Sequence, residues 1–208
     1  MIMQDILKKL QEESHKPTLA HNHKGASSIL IPLIEEKGET YILYEVRSRH
    51  ITQPLEVCFP GGRLEKHEKR KKAALRETCE ELLVNEKQVE IISALDGHMS
   101  VNGRAIWPFI GILHDYHNTY SRDEVDHVFK VPLSYFLTHE PEVHKMVYKP
   151  FLEDNFPYEL VGGKDYPFMT MKRDLLFYQY DGEVIWGITA EITYKFIQKI
   201  KHYRKSDD

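Results

Sequence analysis

Two apolar stretches, SSILIPLI and TYILYEVR, flank the turn-like EEKGE between Ser27 and Arg47, and no other feature constrains the chain more. Such runs around a turn sequence predict a β-hairpin of about eight residues per strand. Further strand-like segments follow: VEIISAL, AIWPFIGIL, VDHVFKVPL, VHKMVYKPF, and the pair DLLFYQY and EVIWG joined by Asp181-Gly182. Asp-Gly between two such runs is a hairpin turn signal. Helical spacing links Ile2, Ile6, Leu7 and Leu10 over 2–12, then Ala74, Leu75, Thr78 and Leu82 over 67–84, then Ile192, Phe196, Ile197 and Ile200 over 189–203. A short helix is expected over Leu133 to Thr138, and SRHITQPLEVCFPGG, with two prolines and a double glycine, reads as a structured loop. Many strands with few helices make a layered α+β domain.

At 208 residues the chain is long enough for one domain with a real core. We expect residues 1–24 to be a helix and polar linker, 25–203 a single domain, and 204–208 a polar tail. Its 28 Lys and Arg against 32 Asp and Glu give a formal charge of −4, which carries no electrostatic footprint of a nucleic-acid or membrane-surface binder. Apolar runs fall far short of the roughly 20 residues that span a bilayer, and the first residues carry no signal-peptide block. Cys58 and Cys79 exclude a disulfide framework and suit a reducing compartment, so a cytoplasmic location is expected.

The informative stretch is GRLEKHEKRKKAALRETCEELLV, Gly62 to Val84. Read as a helix from about Lys69, it puts Glu77, Glu80 and Glu81 at i, i+3 and i+4, three carboxylates on one face. Like charges so close repel unless a cation neutralises them, and hard oxygen ligands suit Mg²⁺ or Mn²⁺ bound together with substrate phosphates. The alternative is a solvated acidic face. Counting back, seven residues separate Arg76 from Glu68, and five separate Glu68 from Gly62, which ends Phe59-Pro60-Gly61-Gly62.

This spacing resembles the Nudix box: Gly, five residues, Glu, seven residues, Arg-Glu, an apolar residue, any residue, Glu-Glu, any residue, Gly, an apolar residue. Gly62, Glu68, Arg76, Glu77, Glu80 and Glu81 match it, and at ordinary residue frequencies a chance match of all six is on the order of 10⁻⁴ or less. Leu83 stands in place of the second glycine and Thr78 in place of the first apolar residue. With no glycine to take the left-handed helix end, Asn85 is expected to end a slightly extended helix. Upstream, Arg47-Ser48 ahead of Phe59-Pro60-Gly61-Gly62 is similar to the additional motif of the coenzyme A pyrophosphatase branch, with Leu55 where that branch has a glycine. Trp107-Pro108-Phe109-Ile110-Gly111, Glu124-Val125-Asp126 and Ile185-Trp186-Gly187-Ile188-Thr189-Ala190 continue the likeness in order.

The resemblance implies the Nudix fold, an α/β/α sandwich with a mixed β-sheet between helices. It implies metal-dependent hydrolysis of the diphosphate of coenzyme A or its derivatives to 3′,5′-ADP and phosphopantetheine, and suggests a homodimer acting on a small-molecule substrate. Glu77 and Glu81 would be metal ligands, Glu80 a further ligand or the group that activates water, and Glu68 and Arg76 a pair holding loop and helix in register. Arg47, Ser48, Phe59, Pro60, Gly61 and Gly62 would bind substrate, and a catalytic base would come from a loop, with the acidic residues of Glu153 to Asp165 as candidates. A Nudix diphosphatase for ADP-ribose or NADH-type nucleotides, and a non-catalytic nucleotide-binding module, are the alternatives. Other signals carry less. Gly162-Gly163-Lys164 lacks the spacing and hydroxyl of a P-loop, the twelve histidines form no zinc spacing, and Lys69-Arg70-Lys71-Lys72 reads as a solvated face.

Overall fold

The computed structural model describes residues 3–12, 25–100 and 103–205. In chain order its elements are α1 (Met3–Glu12), β1 (Ser27–Glu36), β2 (Glu39–Arg47), β3 (Val57–Cys58), β4 (Gly61–Arg63), α2 (Arg70–Leu82), β5 (Val89–Ala94), β6 (His98–Met99), β7 (Ala105–Leu113), β8 (Val125–Pro132), α3 (Leu133–Thr138), β9 (Glu142–Tyr148), β10 (Met171–Tyr180), β11 (Glu183–Trp186) and α4 (Gly187–Lys205). The linker 13–24, the tail 206–208 and the side chains of Ile2, Ile6 and Leu7 lie outside the described residues. Arg204 and Lys205 belong to α4 rather than to a tail.

The expected hairpin is β1 and β2, turned by Lys37 at φ 51° and Gly38 at φ 81°. Two successive positive φ values give the turn whose twist matches that of the flanking strands. Asp181 and Gly182 repeat the device between β10 and β11. The main sheet runs β3-β2-β1-β7-β5, with β4 on β1, β6 on β7 and β8 on β2; it is mixed because β1 and β7 pair in parallel. On one face α2 buries Ala74 and Leu82 against Leu30, Ile34, Leu43 and Trp107. On the other, α4, α3 and Leu10 of α1 pack against Ile31, Leu33, Ile42, Tyr44 and Ile110. Successive residues of a strand face opposite sides, so a strand covered on both faces needs an unbroken apolar run, which is what SSILIPLI supplies. The α/β/α sandwich is therefore present. A second antiparallel sheet, β11-β10-β9, joins it through Tyr178 and Ile185, which reach the same core as Tyr44 and Phe136.

One local expectation is overturned. The helix does not run on to Asn85. It stops at Leu82, and Leu83 itself takes the left-handed position at φ 53° and ψ 46°, with the Val84 amide donating to the Cys79 carbonyl at 3.2 Å. Thr119 Oγ1 donates to the Leu82 carbonyl at 2.6 Å, so tertiary structure caps the helix where the sequence lacks its usual residue. Leu83 is 59% exposed and gains little from burial, while a left-handed leucine costs about 1–2 kcal/mol. Leu83→Gly should therefore stabilise the fold by about 0.5–1 kcal/mol once glycine's extra chain entropy is subtracted. Thermal unfolding should show this as a midpoint higher by roughly 2–4 °C per kcal/mol, and a lower midpoint would refute it.

Candidate active site

The loop from β4 into α2 brings Glu68 back onto the helix, and Arg76 receives it. Its Nε donates to Glu68 Oε1 at 2.9 Å and its Nη2 to Glu68 Oε2 at 3.1 Å. The same guanidinium reaches Glu80 Oε2 from Nη1 at 3.0 Å, Glu77 Oε1 from Nη2 at 3.0 Å and the Arg63 carbonyl at 3.3 Å. One cation thus holds three carboxylates and the end of β4. The hydrogen bonds to Glu68 raise the pKa of Arg76, and those same bonds hold the Glu68 carboxyl below its usual range.

Two glycines let the carboxylates meet backbone. At Gly61, φ is 150° and a Cβ would stand 2.4 Å from the Ser28 carbonyl oxygen; at Gly62 a Cβ would stand 2.4 Å from Glu77 Cδ. At Gly61 the close atoms are backbone and the φ is positive, so only glycine is tolerated there, whereas at Gly62 a side chain would have to displace the Glu77 carboxylate. The Gly61 amide donates to Glu81 Oε2 at 2.7 Å. Glu81 is 7% exposed, and burial pushes its carboxyl from 4.5 up to about 8; the Gly61 amide opposes this, Glu77 and Glu124 add to it, and Arg47 opposes it. Glu77 shifts upward as well, through burial first, with Arg76 opposing.

Glu45 faces this group from β2. It is 1% exposed, its Oε1 has no hydrogen-bond partner among the described residues, and burial followed by the charges of Glu81 and Glu124 raises its carboxyl well above the usual range. An orphaned buried carboxylate oxygen beside two more carboxylates is a costly arrangement without a cation. Among the described residues no three His, Cys, Asp or Glu side chains form a ready-made metal shell. Magnesium does not require one, since it keeps several waters and takes one or two carboxylates plus substrate phosphates. The all-oxygen donor set and the unsatisfied Glu45 oxygen fit a hard divalent ion.

Glu77 and Glu81 point into this group, whereas Glu80, with its side chain 55% exposed, turns outward onto Arg76. Arg47 lines a cleft of about 290 Å³ with Phe59, Gly61, Gly62 and Arg104, while its Nε donates to the Thr52 carbonyl at 3.0 Å and steadies the 48–57 loop. Ser48 and Pro60 do not line that cleft: the Ser48 amide donates to the Glu124 carbonyl, and the Pro60 carbonyl accepts from the Leu30 amide. Phe59 is buried and stacks on Tyr44 at 4.9 Å. Arg49 is exposed and faces Asp126 at 3.8 Å. In the basic run, Arg70 lies over Trp107, 3.3 Å from the ring centroid, while Lys69, Lys71 and Lys72 face solvent.

Sequence reasoning missed Glu45 and Glu124 as members of the group. The loop carboxylate whose charge raises Glu45, Glu77 and Glu81 together is Glu124, fixed by its amide bond to the Ser121 carbonyl, rather than one from Glu153 to Asp165. A glutamate inside the apolar run TYILYEVR was the available signal for Glu45. Glu124 stood in the Glu124-Val125-Asp126 segment of the likeness, but nothing in its spacing tied it to the other carboxylates.

A carboxyl raised on folding binds its proton more tightly in the native state, so it adds stability below its unfolded pKa of about 4.5 and loses it as pH rises towards 8. In chelator, the unfolding midpoint should therefore fall between pH 5 and 8, and Glu81→Gln should flatten that fall. With millimolar Mg²⁺ the fall should shrink, because the ion binds the ionised form. A midpoint rising across this window in chelator would contradict the burial of these groups.

A NUDIX domain model matches residues 24–153. The chain is 34% identical over 146 residues to the peroxisomal coenzyme A diphosphatase NUDT7 of Mus musculus, covering 69% of this chain and 61% of the mouse protein. It is 39% identical over 119 residues to Nudix hydrolase 3 of Caenorhabditis elegans, covering 52% of this chain and 48% of that one. An uncharacterized Nudix hydrolase NudL of Enterobacter sp. (strain 638) is 32% identical over 136 residues, with 64% and 71% covered. The alignments thus span about half to three-fifths of the first two relatives.

Proposed function

The chain belongs to the Nudix family, and on that premise we propose that it hydrolyses the diphosphate bond of coenzyme A or its derivatives, releasing 3′,5′-ADP and phosphopantetheine. The observation that carries this reading is the pair of carboxylates, buried Glu81 and half-buried Glu77, set against the Gly61-Gly62 backbone beside a cleft lined by Arg47 and Arg104. The likeness to a coenzyme A diphosphatase supports the choice of substrate. We place the catalytic unit in residues 25–203, acting as a homodimer in a reducing cytosol. Among the described residues no helix is long and apolar enough to cross a membrane.

Glu77 and Glu81 would hold Mg²⁺ or Mn²⁺, with Glu80, Glu45 or Glu124 as further oxygen donors. Such an ion supplies neutralisation of the diphosphate oxygens and activation of water near neutral pH. The protein's own residues do the positioning. Gly61 and Gly62 let the substrate's phosphates approach the main chain, and Arg47 and Arg104 offer guanidinium donors to its anionic oxygens. Arg76 opposes the effect of burial on the Glu77 carboxyl and orients it. Glu124, exposed and close enough for its charge to raise Glu45, Glu77 and Glu81, would take a proton from attacking water.

Glu81→Gln should abolish Mg²⁺-dependent release of 3′,5′-ADP, and Arg76→Ala, which acts through Glu77 and Glu68, should cost roughly 10–100-fold. A chromatographic assay with coenzyme A, dephospho-coenzyme A and ADP-ribose, each with Mg²⁺ and with Mn²⁺, separates the readings. Preference for coenzyme A supports this one, and equal or better turnover of ADP-ribose would replace it.

A further inference from the structure

A second cavity of about 280 Å³ adjoins the cleft that holds Gly61 and Arg47, lying between the 53–57 loop, the face of β9 and β10, and the first turn of α4. Gln53, Glu56, Val57, Ile188 and Thr189 line both spaces, which therefore neighbour one another across a common wall. Charge divides them. The cleft carries Arg47 and Arg104. In the second cavity the one lining cation is Arg173, whose Nη2 is already held by both oxygens of Glu191 at 2.6 and 2.7 Å, while Glu56 is common to both spaces and does not distinguish them. A phosphate gains nothing there. The remaining far wall is Met146, Leu175 and Trp186, whose indole lies parallel to Phe177 with centroids 6.0 Å apart, and Tyr148 adds a polar edge.

We propose that this second cavity holds the uncharged arm of the substrate, a flexible chain of methylenes and amides attached to the diphosphate on the side away from the nucleotide, and so selects among diphosphates. The inference rests on the hydrolytic reading above and deepens it. A volume near 280 Å³ is close to that of the neighbouring cleft and at the small end of ligand sites, which run about 300–1,000 Å³, so it can take a thin chain. Apolar walls take the methylenes, while Gln53 and Tyr148 offer hydrogen-bonding groups to amides. Arg173, Leu175, Trp186, Ile188 and Thr189 follow residue 153, where the family match ends, while Gln53, Glu56, Val57, Met146 and Tyr148 lie within it, so the cavity is built jointly by the matched region and the segment after it, and none of its residues belongs to the Nudix box.

The test is equilibrium binding by calorimetry to the full chain in chelator, with coenzyme A and with adenosine 3′-phosphate 5′-diphosphate, which keeps the nucleotide and both phosphates of the diphosphate and lacks only the arm. Wild type should bind coenzyme A about tenfold more tightly. Trp186→Ala removes a wall and Met146→Trp fills the space, and either change should bring the ratio to within about twofold while the unfolding midpoint shows that the variant is folded. A ratio near one in wild type, or a tenfold ratio surviving in both variants, overturns the proposal. If wild type fails to hydrolyse coenzyme A with Mg²⁺ yet shows the ratio and its loss, the hydrolytic reading falls and the cavity assignment stands. Hydrolysis with a ratio near one has the opposite meaning.

Discussion

The clamp of Arg76 on Glu68 is the interaction from which the site follows. Glu68 lies in the loop between β4 and α2, and its two bonds to the guanidinium fix where that loop lies against the helix. Gly61 and Gly62 then meet Glu81 and Glu77 at contact distance. The same cation answers Glu77 and Glu80, so a helix carrying three carboxylates within two turns is not torn by its own charge. With the Arg76 side chain 27% exposed, the cluster is shielded enough from water that losing the guanidinium would leave several carboxylates without a partner.

Whatever depends on neighbours in sequence was legible. The β1–β2 hairpin, α2, α3 and α4 follow from periodicity and turn residues, and the box follows from spacing along one loop and one helix. The strands β3, β4 and β6 are two or three residues long, too short to carry a period, and pair with stretches of β2, β1 and β7 that those strands' longer partners leave uncovered. Glu45 and Glu124 reach the site through the pairing of β2 with β8, a contact between segments some eighty residues apart that no local pattern encodes. The neutral cavity is less legible still, since the 53–57 loop, β9, β10 and α4 each supply only a few of its residues.

Leu55 and Leu83 show how far tertiary structure can override a residue's preference. Both stand where the related pattern has glycine, and both adopt the glycine-like backbone, at φ 59° and 53°. The Leu55 amide donates to the Arg47 carbonyl, and Thr119 secures the end of α2. Each leucine costs about 1–2 kcal/mol, and the surrounding hydrogen bonds hold the conformation against it. The loop geometry that presents Arg47 and the helix end next to Glu81 are therefore kept without the usual residues. Two missing glycines do not by themselves argue for a degenerate site.

Net charge was the wrong scale on which to judge the ligand. A formal −4 spread over the whole chain is screened within about 8 Å at physiological salt, so it says little about what a desolvated cleft will accept. Locally the charges are sorted. Glu45, Glu77 and Glu81 are gathered where burial makes each reluctant to ionise, an arrangement that favours a divalent cation over solvent. Arg47 and Arg104 line the adjoining cleft, and beyond them the walls turn neutral. A polyanion with an uncharged arm meets these three environments in order, which a bare inorganic diphosphate or a second nucleotide would not. An acidic cluster that would repel such a substrate on its own would, once neutralised by a cation, position it instead.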